Sequence, residues 1–193
     1  MPSKKLTTPV FSAISAAALI VGCTTETPAL RAKAPEPSPV QRGKYLVCVL
    51  GCNDCHTPMK LGAHGPEPDL ARLLSGHPED AKLPPPPTLP QGPWAVVCSP
   101  LTAWSGPWGT SYASNLTPDQ STGLGIWTEE MFVKALRTGR HMGASRPILP
   151  PMPWQDYSNL TDEDIKAVYA YLKTVPPVSN HVPDAIVAEQ PQP

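Results

Sequence analysis

The sequence predicts an all-α domain spanning residues 41–177 of 193. Residues 128–139 and 161–175 each place a capping residue ahead of apolar side chains at helical spacing. Residues 41–51 repeat the pattern at shorter length, and no pair of alternating strands with a turn signal between them is evident.

In the first of these segments, "QRGKYLVCVLG", Tyr45, Val47, Cys48, Val49 and Leu50 read as a short, nearly buried helix. Cys48 precedes Cys52 by four residues, so a continuous helix would put both on one inward face. Residues 59–111 hold few regular elements. A short helix is expected from Asp69 to about Ser75, stopped by Gly76 and Pro78, and "KLPPPPTLPQGPW" can only be extended or turning. Trp94, Trp104 and Trp108 are expected to pack this long proline-rich insertion against the core or a cofactor. Thr128 caps a helix with Glu129 and Glu130 in its first turn and Phe132, Val133, Ala135 and Leu136 on its apolar side, ending at Gly139. Thr161 and Asp164 start the last helix, which buries Ile165, Val168, Tyr169 and Leu172 and stops before Pro176 and Pro177. Residues 178–193 read as a flexible tail.

The N-terminal end predicts export. Lys4 and Lys5 precede an apolar, alanine-rich run over residues 10–21, too short to span a bilayer comfortably. The run ends in Gly22 and Cys23, resembling the lipobox of bacterial lipoproteins. Residues 1–22 are therefore expected to be a lipoprotein signal peptide, Cys23 the lipidated residue, and residues 23–40, "CTTETPALRAKAPEPSPV", a flexible tether. The expected location is the bacterial cell envelope, periplasmic side, anchored to the membrane. A formal net charge of −1 supplies no basic field for a phosphate backbone, which excludes nucleic acid as a partner.

Chemistry concentrates in "CVLGCNDCHTP", residues 48–58. A zinc site would want two spaced cysteine pairs, and only one exists. A thioredoxin-like pair would belong to a βαβ pattern that this sequence lacks. The remaining reading is Cys52, Asn53, Asp54, Cys55 and His56 as a C-x-x-C-H haem-attachment sequence. Two thiols three residues apart on one helical turn can each bond a vinyl group of one porphyrin, and the next residue turns its imidazole onto the iron. One covalently bound haem c is expected.

The other face of the iron needs a second ligand. Met59 lies too close to the motif and Met131 sits inside a predicted helix, which leaves Met142 and Met152, with His64, His77, His141 and His181 as imidazole rivals. Met152 lies among Pro150, Pro151 and Pro153, a stiff loop suited to holding a weak thioether at a fixed distance. Cys48 and Cys98 remain after lipidation and haem attachment are assigned, and in an oxidising compartment such a remainder suggests a disulfide.

The motif at residues 52–58, "SNLTPDQSTGLGIWTEEMFVKALRTG" (114–139) and "MPWQDYSNLTDEDIKAVYAYLKTVPPV" (152–178) together resemble mono-haem class I cytochromes c of bacterial envelopes, near the cytochrome subunits of membrane alcohol and aldehyde dehydrogenases. The resemblance implies the class I cytochrome c fold, with Cys52 and Cys55 carrying the haem, His56 the proximal ligand and Met152 the distal one. A His/Met-ligated iron is coordinatively full, and soft thioether ligation raises its potential. The expected function is single-electron transfer between redox proteins: a dehydrogenase, a cytochrome complex or a terminal oxidase. No acid/base or nucleophilic constellation flanks the motif, so the chain is not expected to be an enzyme itself. The alternatives are a peroxidase-like haem enzyme and a gas-sensing haem module, both of which need a labile sixth ligand.

Overall fold

Ser38 starts the first helix, α1 (Pro39–Val49), through a reciprocal capping box with Gln41, and Pro39 occupies the first turn where its missing N–H costs nothing. The computed structural model describes residues 35–86 and 94–188. The expected signal peptide, Cys23 and most of the tether lie outside the described residues. Residues from 36 onward belong to one compact unit.

Helix α1 lies across α5 (Asp162–Leu172) with Gly43 at the contact, where a Cβ would come within 1.8 Å of the Ala167 carbonyl oxygen. The buried face is Gly43, Leu46 and Val47, while Tyr45, Cys48 and Val49 are exposed, so the expected inward face was partly misjudged. Helix α3 (Glu129–Thr138) starts at Thr128 and ends at Gly139, which adopts φ 64°, a left-handed cap that glycine takes without a Cβ penalty. Its Phe132 and Leu136 join Ile165, Val168 and Leu172 of α5 in one core with Leu46, Val47 and Leu74. Both predicted capped helices are present over the expected residues.

The all-α expectation needs correction. Between α2 (Cys52–His56) and α3 the chain forms a hairpin of β1 (Met59–Gly62) and β2 (Gly65–Pro68), then β3 (Val96–Val97), β4 (Ala103–Gly106) and β5 (Gly109–Tyr112). With β6 (Ile186–Val187) the last three make a four-stranded antiparallel sheet in the order β3, β4, β5, β6. Each strand has four residues or fewer, too short for alternation to register in sequence. The expected helix from Asp69 is a single 3-10 turn, Leu70–Arg72, because Leu73 turns extended and Leu74 takes φ 59°. Residues 81–86 have no regular structure, and residues 87–93 lie outside the described set.

The tail is corrected as well. Residues 178–188 are built into the fold through Asn180, which is 6% exposed, and through β6. Among the described residues no helix is long and apolar enough to cross a membrane.

Candidate functional site

Gly51 ends α1 and opens α2 in one residue, at φ 69°. This break re-aims the chain: Cys52 and Cys55 become half-buried on the short helix and His56 is buried at its end, while Cys48 stays on the exposed side of α1. Continuity of helix from Cys48 to Cys52, assumed from spacing, does not hold.

Two backbone contacts and one side chain fix the end of α2. Gly76 N donates to His56 O at 2.8 Å, and Leu74 N donates to the buried Thr57 Oγ1 at 3.0 Å. Gly76 must be glycine here: its φ is 80° and a Cβ would lie 2.4 Å from Ala113 O. The same approach brings the irregular segment after β5 against the motif, so that His56 Nδ1 lies 2.7 Å from Ser114 O. A carbonyl only accepts, so Nδ1 carries the proton and Nε2 is left with the lone pair that a metal needs. Burial pushes the His56 pKa down, in the direction of the neutral, ligating ring, and the hydrogen bond to the Ser114 carbonyl opposes that shift.

The opposite loop is held as firmly. Ile148 N donates to Gly139 O at 2.8 Å, and the Trp154 ring fills the space where a Cβ on Gly139 would stand, 2.2 Å away. Between these anchors the Pro150-Pro151 peptide is cis, and Ser111 Oγ of β5 donates to Pro150 O at 2.5 Å. Met152 is half-buried, packs against the core and precedes α4 (Trp154–Tyr157). From α4, Tyr157 OH donates to Leu50 O at 2.6 Å, tying the distal loop to the end of α1. Burial raises this phenol to about 12, so it stays a donor at any ordinary pH.

Cys52, Cys55, His56 and Met152 all line one cavity of about 380 Å³. Its walls include Leu124, Trp127, Phe132, Leu136, Val168 and Leu172. A flat, largely apolar group fits such walls. Burial pushes the Cys52 thiol up to about 11 and raises Cys55 in the same direction, the reverse of the low-pKa thiols used for disulfide exchange. Among the described residues no cluster of three or more His, Cys, Asp or Glu could hold a bare metal ion. Two protonated thiols, one imidazole with Nε2 available and a thioether around an apolar cavity are a donor set that fits covalent haem.

Residues 115–176 match the cytochrome c family. The chain carries a cytochrome c domain. It is 32% identical over 152 residues to the fructose dehydrogenase cytochrome subunit of Gluconobacter japonicus, covering 75% of this chain and 24% of that protein. It is 32% identical over 160 residues to the alcohol dehydrogenase (quinone) cytochrome c subunit of Gluconobacter oxydans, covering 81% and 26%. The gluconate 2-dehydrogenase cytochrome c subunit of Pantoea cypripedii is 30% identical over 132 residues, covering 68% and 22%. The chain thus spans about a quarter of the length of these relatives.

In the structure of this cytochrome c-related chain the second-ligand candidates separate. Met142 lies in a 3-10 turn at φ 52° outside the cavity lining, and His64 is exposed in the turn between β1 and β2. His77 is buried, bonded through Nδ1 to Thr102 Oγ1 at 2.9 Å with its ring tilted against Tyr112, and does not line the cavity. His141 and His181 do line it, His141 lying edge-on to Trp127. Trp104 lines the cavity and Trp108 reaches Ser111 Oγ, whereas Trp94, expected to pack inward, is 72% exposed. The expected bond between Cys48 and Cys98 is not formed: Cys48 faces solvent, and Cys98 Sγ accepts from Ala103 N at the foot of β4. The Ser114 carbonyl, the Ser111 hydroxyl and residues 182–185 carry no signal in the sequence, since a backbone oxygen and a non-periodic tail leave none there.

Proposed function

We propose that the domain is a single-electron carrier using one covalently attached haem c with His56 and Met152 as axial ligands. The observation that supports this most is that His56 and Met152 line the same apolar cavity as both motif cysteines, each ligand on a separately braced segment. Haem c so ligated supplies one-electron exchange at an iron with no open position. Cys52 and Cys55 would hold the porphyrin, Ser114 O would orient the His56 ring, and the proline loop would keep Met152 from swinging away. That bracing favours a carrier over a peroxidase-like enzyme or a gas sensor, which need an exchangeable position. Arg146, the one Lys or Arg side chain along the cavity among the described residues, would meet the haem carboxylates.

The relatives named above are cytochrome subunits of dehydrogenases, so the proposed electron donor is a dehydrogenase of the bacterial envelope and the acceptor another cytochrome or an oxidase. Cys23 would anchor the chain through lipid on the periplasmic side, as more than one acyl chain gives stable attachment. Equal solubility of the parent and a Cys23→Ala protein in the exported fraction would contradict the anchor. The carrier reading is tested on the purified holoprotein. A haem that survives denaturing extraction, a thioether-to-iron band when oxidised, and no spectral response to carbon monoxide or cyanide are expected; rapid ligand binding would overturn it.

A further inference from the structure

The family match ends at residue 176, yet the chain beyond it is fastened at two points. At the near end Val178 N donates to Thr117 Oγ1 at 3.1 Å, and Val178 O accepts from Asn115 Nδ2 at 2.8 Å. Asn180 then uses both side-chain donors, on Ser75 O at 2.7 Å and His77 O at 2.9 Å, and its Oδ1 accepts from Glu79 N at 2.8 Å. Its own backbone N donates to Thr122 Oγ1 at 3.0 Å. At the far end β6 pairs with β5, and Ala188 N donates to Trp108 O at 3.1 Å. Between the two anchors His181, Val182, Pro183, Asp184 and Ala185 line the cavity shared by Cys52, Cys55, His56 and Met152.

We propose that residues 181–185 form a strap that closes one side of the cofactor cavity, and that Asn180 is the positioning residue that fixes where the strap lies. This rests on the reading that the cavity holds haem. A surface tail with no role would have no reason to bury an asparagine with both donors satisfied, since burying an amide is favourable only when it is bonded. Asn180 also joins the strap to residues 75–79, and Gly76 in that loop holds His56 O, so the cover and the proximal support share one anchor. The physical consequence is exclusion of water. A cofactor edge kept dry disfavours the oxidised form, which carries one more positive charge, and so raises the reduction potential.

The test compares the parent holoprotein with a chain ended after Asn180 and with full-length Asn180→Ala. Reduction potential and the thioether band are measured on each. Both variants should keep covalent haem and the thioether band while the potential shifts lower, further for the shortened chain than for Asn180→Ala. An unchanged potential in either variant would overturn the proposal. Loss of haem or of the band in both would also overturn it, since the strap would then be holding the ligand loop rather than covering an edge. Failure of the underlying reading is distinguishable, because the parent itself would then lack attached haem.

Discussion

The helical layer and the strand-bearing stretch between α2 and α3 divide the work of the site differently. Helices α1, α3 and α5 build the core, and α2 carries the two cysteines and His56. The described residues of 57–117 contribute no candidate iron ligand to the cavity, yet they supply the Ser114 carbonyl on His56 and the Ser111 hydroxyl on Pro150. One region provides the donor atoms and the other aims them. Ligand-bearing side chains must be particular residue types, whereas aiming can be done by a backbone oxygen that any residue supplies.

This division can be broken from either side. The largest stability loss is expected from the helical layer: Ile165, 0% exposed between α1 and α3, contributes packing that Ile165→Ala removes, at a cost of about 2–5 kcal/mol. Chemical denaturation would check this, and a cost under about 1 kcal/mol would mean that the core is not centred on α5. The strand-bearing stretch should behave oppositely. Ser111→Ala removes one hydrogen bond to the distal loop and should cost only about 1 kcal/mol, while loosening Pro150 enough to move the thioether band or the potential. If Ser111→Ala left both spectrum and potential unchanged, the strand-bearing stretch would be only a covering.

The smallest effect belongs to the ion pair between α1 and α5. Arg42 Nε lies 2.8 Å from Asp164 Oδ1, and the hydrogen bond from Arg42 holds the Asp164 carboxyl below its ordinary range. A carboxylate lowered in the folded state stabilises fully above its unfolded pKa, about 3.9, and loses that contribution as pH falls through the folded value. The stability difference between parent and Arg42→Ala should therefore shrink as pH drops below about 4. Because the pair is exposed, the difference should be small even at neutral pH. A difference that grew on acidification would contradict the assignment.

Legibility in the sequence follows the same division. The capped helices at Thr128 and Thr161 were readable because apolar side chains recur at helical spacing over ten or more residues. The proposed attachment motif stands out because the chemistry it suggests needs fixed residue types at fixed spacing. The strands were not, since pieces such as "AWSG", "GTSY" and "IV" owe their pairing to partners far along the chain. Cys48 was misplaced because one glycine at positive φ ended the helix whose periodicity the argument assumed. The tail was read as flexible because a single buried asparagine, rather than an apolar stripe, holds it.

The central claim is that Met152, not Met142, completes the iron from a braced loop, and two methionine variants measured side by side test it most directly. Oxidised-state absorption and reduction potential would be recorded for Met152→Ala and Met142→Ala holoproteins, with Cys52 and Cys55 intact in both. Met152→Ala should keep its covalent haem, lose the thioether band, fall in potential and bind added cyanide, while Met142→Ala matches the parent. Retention of the band and potential in Met152→Ala, with their loss in Met142→Ala, would contradict the account.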